Sequence, residues 1–169
     1  MRKIKKRTFT GTIDTAVSER EKLGMEIARE AAAAGIVLLK NENNVLPLEK
    51  GSKIALYGIG AANTFKGGTG SGDVNERQSV SVFEGLKNAG FIITNEEQVR
   101  DSVKLYNKAR EDWRDDILKK CEGKDGAEFF IIYSTNPFTL PENKQEITKT
   151  DTDTAIYVIS RIAGEGADR

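Results

Sequence analysis

Apolar residues three and four apart alternate along this chain with short unbroken apolar runs, and the two spacings predict helices and buried strands in turn. Ser18 can cap a helix running to about Ala34, with Leu23, Ile27 and Ala31 on one face expected to pack and Gly35 as its stop. The run IVLLKN follows, Pro47 ends a turn, and Lys53 to Tyr57 reads as a buried strand. From Gly58 to Ser79 there is neither helical nor strand periodicity, and six of the chain's 16 glycines fall there. Beyond it, Ser81 with Glu84 makes a capping box for a helix through Phe83, Leu86 and Lys87, closed by Gly90. Phe91 to Thr94 reads as a second strand. Residues 96 to 122 give the strongest helical signal, with Val99, Val103, Tyr106, Trp113, Ile117 and Cys121 on one stripe and Trp113 and Cys121 expected in the core. Glu128 to Tyr133 reads as an apolar strand, Pro141 to Lys149 as a short polar helix or turn, and Ala155 to Ser160 as another strand.

This alternation predicts an α/β fold, a three-layer αβα sandwich with a mostly parallel sheet covered on both faces. In such sheets ligands gather beyond the carboxyl ends of the strands, where both the glycine-rich loop after Tyr57 and the segment IAGEGADR after Ser160 lie. The chain stops in that second segment without a closing helix, so the domain is expected to be truncated at its C-terminal end.

Length and charge narrow the partners. With 169 residues, one domain over residues 18–169 is expected, preceded by a basic, polar extension over residues 1–17. Lysine plus arginine balances aspartate plus glutamate at 26 each, so no net field points to nucleic acid or an acidic membrane surface. The five positive charges of MRKIKKRTFT have no apolar run behind them and read as a solvated terminus rather than a signal peptide. No run reaches the roughly 18 apolar residues of a membrane span, and a cytoplasmic, reducing location is expected. Histidine is absent, which excludes histidine-dependent triads and zinc sites within the chain. Cys121 is the single cysteine, with no histidine to activate it, and is read as structural.

The loop motifs admit more than one reading. Gly58-x-Gly60 follows a strand as in a dinucleotide fingerprint, but Asn63 stands where the third glycine belongs and no helix begins at once. Lys66 comes too early for a P-loop. The stretch Gly67 to Asn75 offers Thr69, Ser71, Asp73 and Asn75 on a thin backbone, short donors and acceptors able to bond sugar hydroxyls; a tight structural turn is the competing reading. Glu165 between Gly164 and Gly166 suits proton transfer to and from a leaving-group oxygen, against the alternative of a solvated glutamate near a frayed end.

Three separated stretches, AREAAAAGIVLLKNENNVLPL over residues 28–48, KIALYGIGAANTFKGGTGSGDVN from Lys53 and DTAIYVISRIAGEGADR at the end, together resemble the α/β sandwich domain of glycoside hydrolase family 3, bacterial β-glucosidases in particular. The resemblance implies retaining hydrolysis of β-linked glucosyl residues without a cofactor. It implies an aspartate nucleophile on a (β/α)8 barrel that has no counterpart in these residues, and Glu165 as the acid/base. It also implies Ser71 as a contact to the sugar, with Thr69 beside it and Asp73 bracing the loop. The implied partners are a β-glucoside or short β-linked oligosaccharide and the barrel domain, with no nucleic acid and no membrane; self-association into a homo-oligomer stays open. The start about twenty residues ahead of the sandwich motifs resembles the permuted order, sandwich before barrel, and a cloned domain with an artificial start would read the same. The isolated chain is expected to be inactive. The readings that compete with the resemblance are a nucleotide or small-anion module and a non-catalytic association domain.

Overall fold

A computed structural model describes residues 15–68, 72, 78–142, 147 and 151–164. The chain divides between Pro47 and Leu48 into two units.

In the first unit, helix α1 spans Glu19–Gly35. Its start is set locally: Ser18 Oγ accepts from the Glu21 amide at 3.2 Å, and Glu21 Oε2 accepts from the Ser18 amide at 2.8 Å. Gly35 is its last residue, as the sequence predicts. The expected packing of its apolar face is absent: no residue of α1 is buried, and Leu23 and Ile27 are each 56% exposed. An apolar stripe is buried only against a second element, and the remaining described residues of this unit form none. They do form a clasped turn, in which the Asn41 carboxamide donates to Leu46 O at 2.8 Å and accepts from the Leu46 amide at 3.0 Å. Asn43 and Asn44 inside it adopt positive φ, which asparagine tolerates better than most residues.

In the second unit, β1 spans Lys53–Tyr57, β2 Ile92–Ile93 and β3 Ala155–Tyr157. They pair in the order β2-β1-β3, both pairings parallel. The sheet and its helices are the α/β arrangement that the alternation predicts. Central β1 is buried from Ile54 to Tyr57, and Ile54, Leu56, Ile93, Val99 and Ala61 form the core, with Val82, Phe83, Leu86 and Ile156 against it.

The two neighbours of β1 divide its length. β2 pairs with Lys53 and Ile54, β3 with Ala55, Leu56 and Tyr57. Past Ile93 a side chain continues the ladder: Asn95 Oδ1 accepts from the Leu56 amide at 2.8 Å and its Nδ2 donates to Leu56 O at 2.9 Å. On the other edge, Ala55 N donates to Thr154 O and Val158 N to Tyr57 O, each at 2.9 Å. The Lys53 ammonium donates to the Asp151 carboxylate and holds its pKa below the ordinary range.

Helix α2 spans Val82–Asn88 and opens on the predicted capping box: Ser81 Oγ accepts from the Glu84 amide at 3.1 Å, and Glu84 Oε2 accepts from the Ser81 amide at 2.9 Å. Helix α3 spans Glu96–Lys120 and buries Val99 and Ile117, while Trp113 and Cys121, expected in the core, are half-buried. The Trp113 indole donates to Asn136 O at 2.7 Å, and its ring stands edge-on to Tyr133 and Phe138 at 5.7 and 5.9 Å.

The segment expected as a strand over Glu128 to Tyr133 is instead part of helix α4, Gly126–Thr135. Asp125 Oδ1 accepts from the Ala127 and Glu128 amides, both at 2.9 Å, and the Glu128 carboxylate accepts from the Asp125 amide at 3.3 Å. This box nucleates a helix where hydrophobicity alone leaves strand and helix equally open. The strand expected over Ala155 to Ser160 is confined to Ala155–Tyr157. Of the polar element expected over Pro141 to Lys149, Pro141, Glu142 and Ile147 have no regular structure and the rest lies outside the described residues.

Two outcomes follow for stability. Asn95→Ala removes both bonds to Leu56 and leaves buried strand groups unpaired, so the unfolding free energy in urea should fall by roughly 2–3 kcal/mol. A change within error would show that the ladder closes without the side chain. Hydrogen bonds from the Ser81 backbone and hydroxyl hold the Glu84 carboxyl below its ordinary value of 4.5. A depressed carboxyl contributes stability above the unfolded-state value and loses it as pH falls through the folded one. Glu84→Gln should therefore flatten the fall in melting temperature below about pH 4.5, and an unchanged acid limb would assign that fall to other groups.

Candidate functional site

Because β1 and β3 are parallel neighbours with Tyr57 opposite Tyr157, the chain leaves both at the same end of the sheet. The two exits are therefore adjacent, and glycine lets them touch. Gly58 has φ +93° and lies so close to Val158 O that an added Cβ would stand nearer than 3.0 Å. Gly60 has the same relation to the Ser160 hydroxyl, and Gly68 to the carbonyl oxygen of Ala163. Gly68 also leaves only 3.4 Å between such a Cβ and the Cα of Gly164. The loop after β1 is thus laid against the segment that follows β3 from Val158 to Gly164.

The root of the loop is fixed on its other side. Thr64 Oγ1 donates to Gly60 O at 3.0 Å and accepts from the Val82 amide at 3.0 Å, tying the turn to the start of α2. The Phe65 ring meets Tyr106 of α3 edge-on at 5.6 Å, and Tyr106 meets Phe138 at 5.7 Å. Asn63, Thr64, Phe65, Ser79, Glu84 and Tyr106 line a cavity of about 340 Å³ beside this root. Asn63 Nδ2 is buried there without a hydrogen-bond partner among the described residues.

The four residues expected at the site, Thr69, Ser71, Asp73 and Glu165, lie outside the described residues. Their described chain neighbours are Gly68, Gly72 and Gly164, and of these Gly68 and Gly164 come together. Asn63, Thr64 and Asn95 carry no sequence signal that would single them out. The bonds that give Thr64 and Asn95 their roles reach Val82 and Leu56, distant in sequence, and Asn63 Nδ2 has no partner among the described residues.

The arrangement disfavours the nucleotide reading. Gly58 and Gly60 face Val158 and Ser160, so their missing side chains make room for the chain itself. A 3-10 turn of three residues, Ile59–Ala61, stands where a dinucleotide fold would aim the start of a helix at a pyrophosphate. Among the described residues, no helix is long and apolar enough to cross a membrane.

Comparison with known proteins agrees with the resemblance carried by the three motifs. Beta-glucosidase A of Butyrivibrio fibrisolvens is 35% identical over 145 residues, which are 86% of this chain and 16% of that protein. Thermostable beta-glucosidase B of Acetivibrio thermocellus is 42% identical over 64 residues, 38% of this chain and 8% of that protein. Beta-glucosidase 3B from Thermotoga neapolitana, solved in complex with alpha-D-glucose, superposes with a TM-score of 0.60 at 34% identity, over 90% of this chain and 20% of that one. The chain therefore spans no more than about a fifth of these relatives. A family model described as the glycosyl hydrolase family 3 C-terminal domain matches residues 36–169, and the chain belongs to that family.

Proposed function

We propose that this chain supplies the acid/base and part of the sugar-binding wall of a retaining β-glucosidase. The observation that carries the reading is the contact of Gly68 with Ala163 and Gly164 at the carboxyl end of parallel strands. It supports a shared site for the loop bearing Thr69, Ser71 and Asp73 and for the GEG segment bearing Glu165, because ligands of open α/β sheets collect at that end. The β-glucosidases among its relatives, one of them solved with glucose, support a terminal β-D-glucosyl residue as the group transferred.

In this reading Ser71 and Thr69 hold sugar hydroxyls, and Asp73 braces the loop. A carboxylate on a partner (β/α)8 barrel attacks the anomeric carbon while the Glu165 carboxyl protonates the departing glycosidic oxygen. A glycosyl ester forms and the aglycone leaves as an alcohol. Glu165, now ionised, takes a proton from water as the water oxygen attacks the same carbon; the ester bond breaks, glucose leaves and the starting protonation is restored. Retention by this route places the two carboxyl groups about 5–5.5 Å apart, so the barrel must close on the strand exits.

The chain purified by itself should not turn over an aryl β-glucoside, since removing the nucleophile removes the covalent step. Measurable release of the phenol by the pure chain would overturn the division of labour. In an intact enzyme carrying this chain with a barrel, Glu165→Ala should lower kcat about 10²–10⁴-fold for β-glucosides with poor leaving groups. The same variant should keep a nearly normal kcat/KM on dinitrophenyl glucoside, where the leaving group needs no acid, while kcat there falls because the second step has lost its base, and azide should restore that turnover. Equal losses of kcat/KM on both substrates would remove Glu165 from the acid role.

A further inference from the structure

We infer that Gly60 and Gly68 are positioning residues for Glu165, coupling the loop after β1 to the acid/base segment so that the two hold one geometry. This inference rests on the acid/base reading of Glu165 proposed above. Neither glycine adopts a positive φ, so neither position requires glycine for its backbone conformation. What excludes a side chain is the neighbouring segment alone. At Gly68 the obstacle is a backbone carbonyl, Ala163 O, backed by Gly164 Cα. A carbonyl cannot rotate aside, so a methyl group there must push the Ala163–Gly164 segment away, one peptide bond before Glu165. At Gly60 the nearest obstacle is the Ser160 hydroxyl, followed by Val158 Cγ1 at 3.0 Å and Ser160 Cβ at 3.1 Å. The serine oxygen can swing to another rotamer about the Cα–Cβ bond, so the same methyl displaces the chain less. Gly58 meets the same segment at Val158 O, but its φ of +93° favours glycine in any case, whereas Gly67 abuts Gly72 O within its own loop and Gly85 of α2 meets only Val80 Cγ1 at 3.9 Å.

General acid catalysis needs the carboxyl at hydrogen-bond distance from the leaving oxygen, and a misplacement of about 1 Å can cost about a hundredfold. The segment's displacement should therefore appear in the step that needs the acid, not in sugar binding as a whole. In an intact enzyme carrying this chain with a barrel, Gly68→Ala should lower kcat/KM about tenfold to a hundredfold on an alkyl glucoside. Its effect on kcat/KM for dinitrophenyl glucoside, where the first step needs no acid, should be several-fold smaller. Gly60→Ala should show a weaker form of the same pattern. Adding Ser160→Gly removes the hydroxyl and the Cβ and should recover the loss. Gly85→Ala should leave both substrates unaffected. Equal loss on both substrates from Gly68→Ala, or a Gly60→Ala defect that Ser160→Gly does not relieve, would overturn the inference. The Gly60 pair decides it alone if Gly68→Ala does not fold. Glu165→Ala on the same two substrates separates the two failures: without leaving-group dependence there, the acid/base reading itself falls. With that dependence but none in the glycine variants, only the positioning role falls.

Discussion

Strand β1 lies in the middle of the sheet with Ile54 to Tyr57 buried, so its backbone donors and acceptors must find partners in the protein rather than in water. Much of the second unit answers that demand. β2 pairs with the first half of the strand and β3 with the second. Where β2 stops at Ile93, the Asn95 carboxamide presents a donor and an acceptor at the spacing a peptide group would and closes on Leu56. The same residue stands at the start of α3, but its side chain is committed to Leu56 and makes no capping bond to the helix. The surface ion pairs along α3, such as Arg100–Glu96 and Lys120–Asp116, are exposed and contribute at most a few tenths of a kcal/mol each.

A parallel neighbour on the β3 side has a geometric consequence at the exits. Two parallel strands in register release their chains at the same end, so the loop after Tyr57 and the segment after Tyr157 compete for the same space. Glycine resolves the competition mainly by removing side chains from the loop after β1. Val158, Ser160 and Ala163 keep theirs, and Gly58, Gly60 and Gly68 give way. The glycine richness of the loop is thereby explained in part by the protein's own chain.

What was legible in the sequence is what depends on neighbours within a turn or two. Ser18 with Glu21 and Ser81 with Glu84 mark helix starts that the structure keeps, and the unbroken run Ile54 to Tyr57 marks the buried strand. Asp125 and Glu128 carry the same start signal, and the apolar run Phe129 to Tyr133 hid it by suggesting a strand. The burial expected for α1 failed because spacing shows which face is apolar and not what lies against it. The site was legible only through resemblance. The contacts that organise its surroundings join Gly60 to Ser160 and Gly68 to Ala163, pairs about a hundred residues apart that no local pattern announces.

The long interval between β1 and β3 also bears on how the chain acquires its structure. Asn95 reaches Leu56 from 39 residues away, whereas Lys53 and Asp151, at the matching end of the β3 pairing, are 98 residues apart. Closing the longer interval costs roughly 1 kcal/mol more in chain entropy, a small difference in stability. In time the difference is large, because a ribosome delivers the chain in order. Until Ile93 is made β1 has neither neighbour, and from there to Ala155 it has a neighbour on one edge only, with Ala55 N and Tyr57 O yet to meet Thr154 and Val158. For that interval the strand that ends up central and buried is an open edge, the kind of surface on which nascent chains pair with one another.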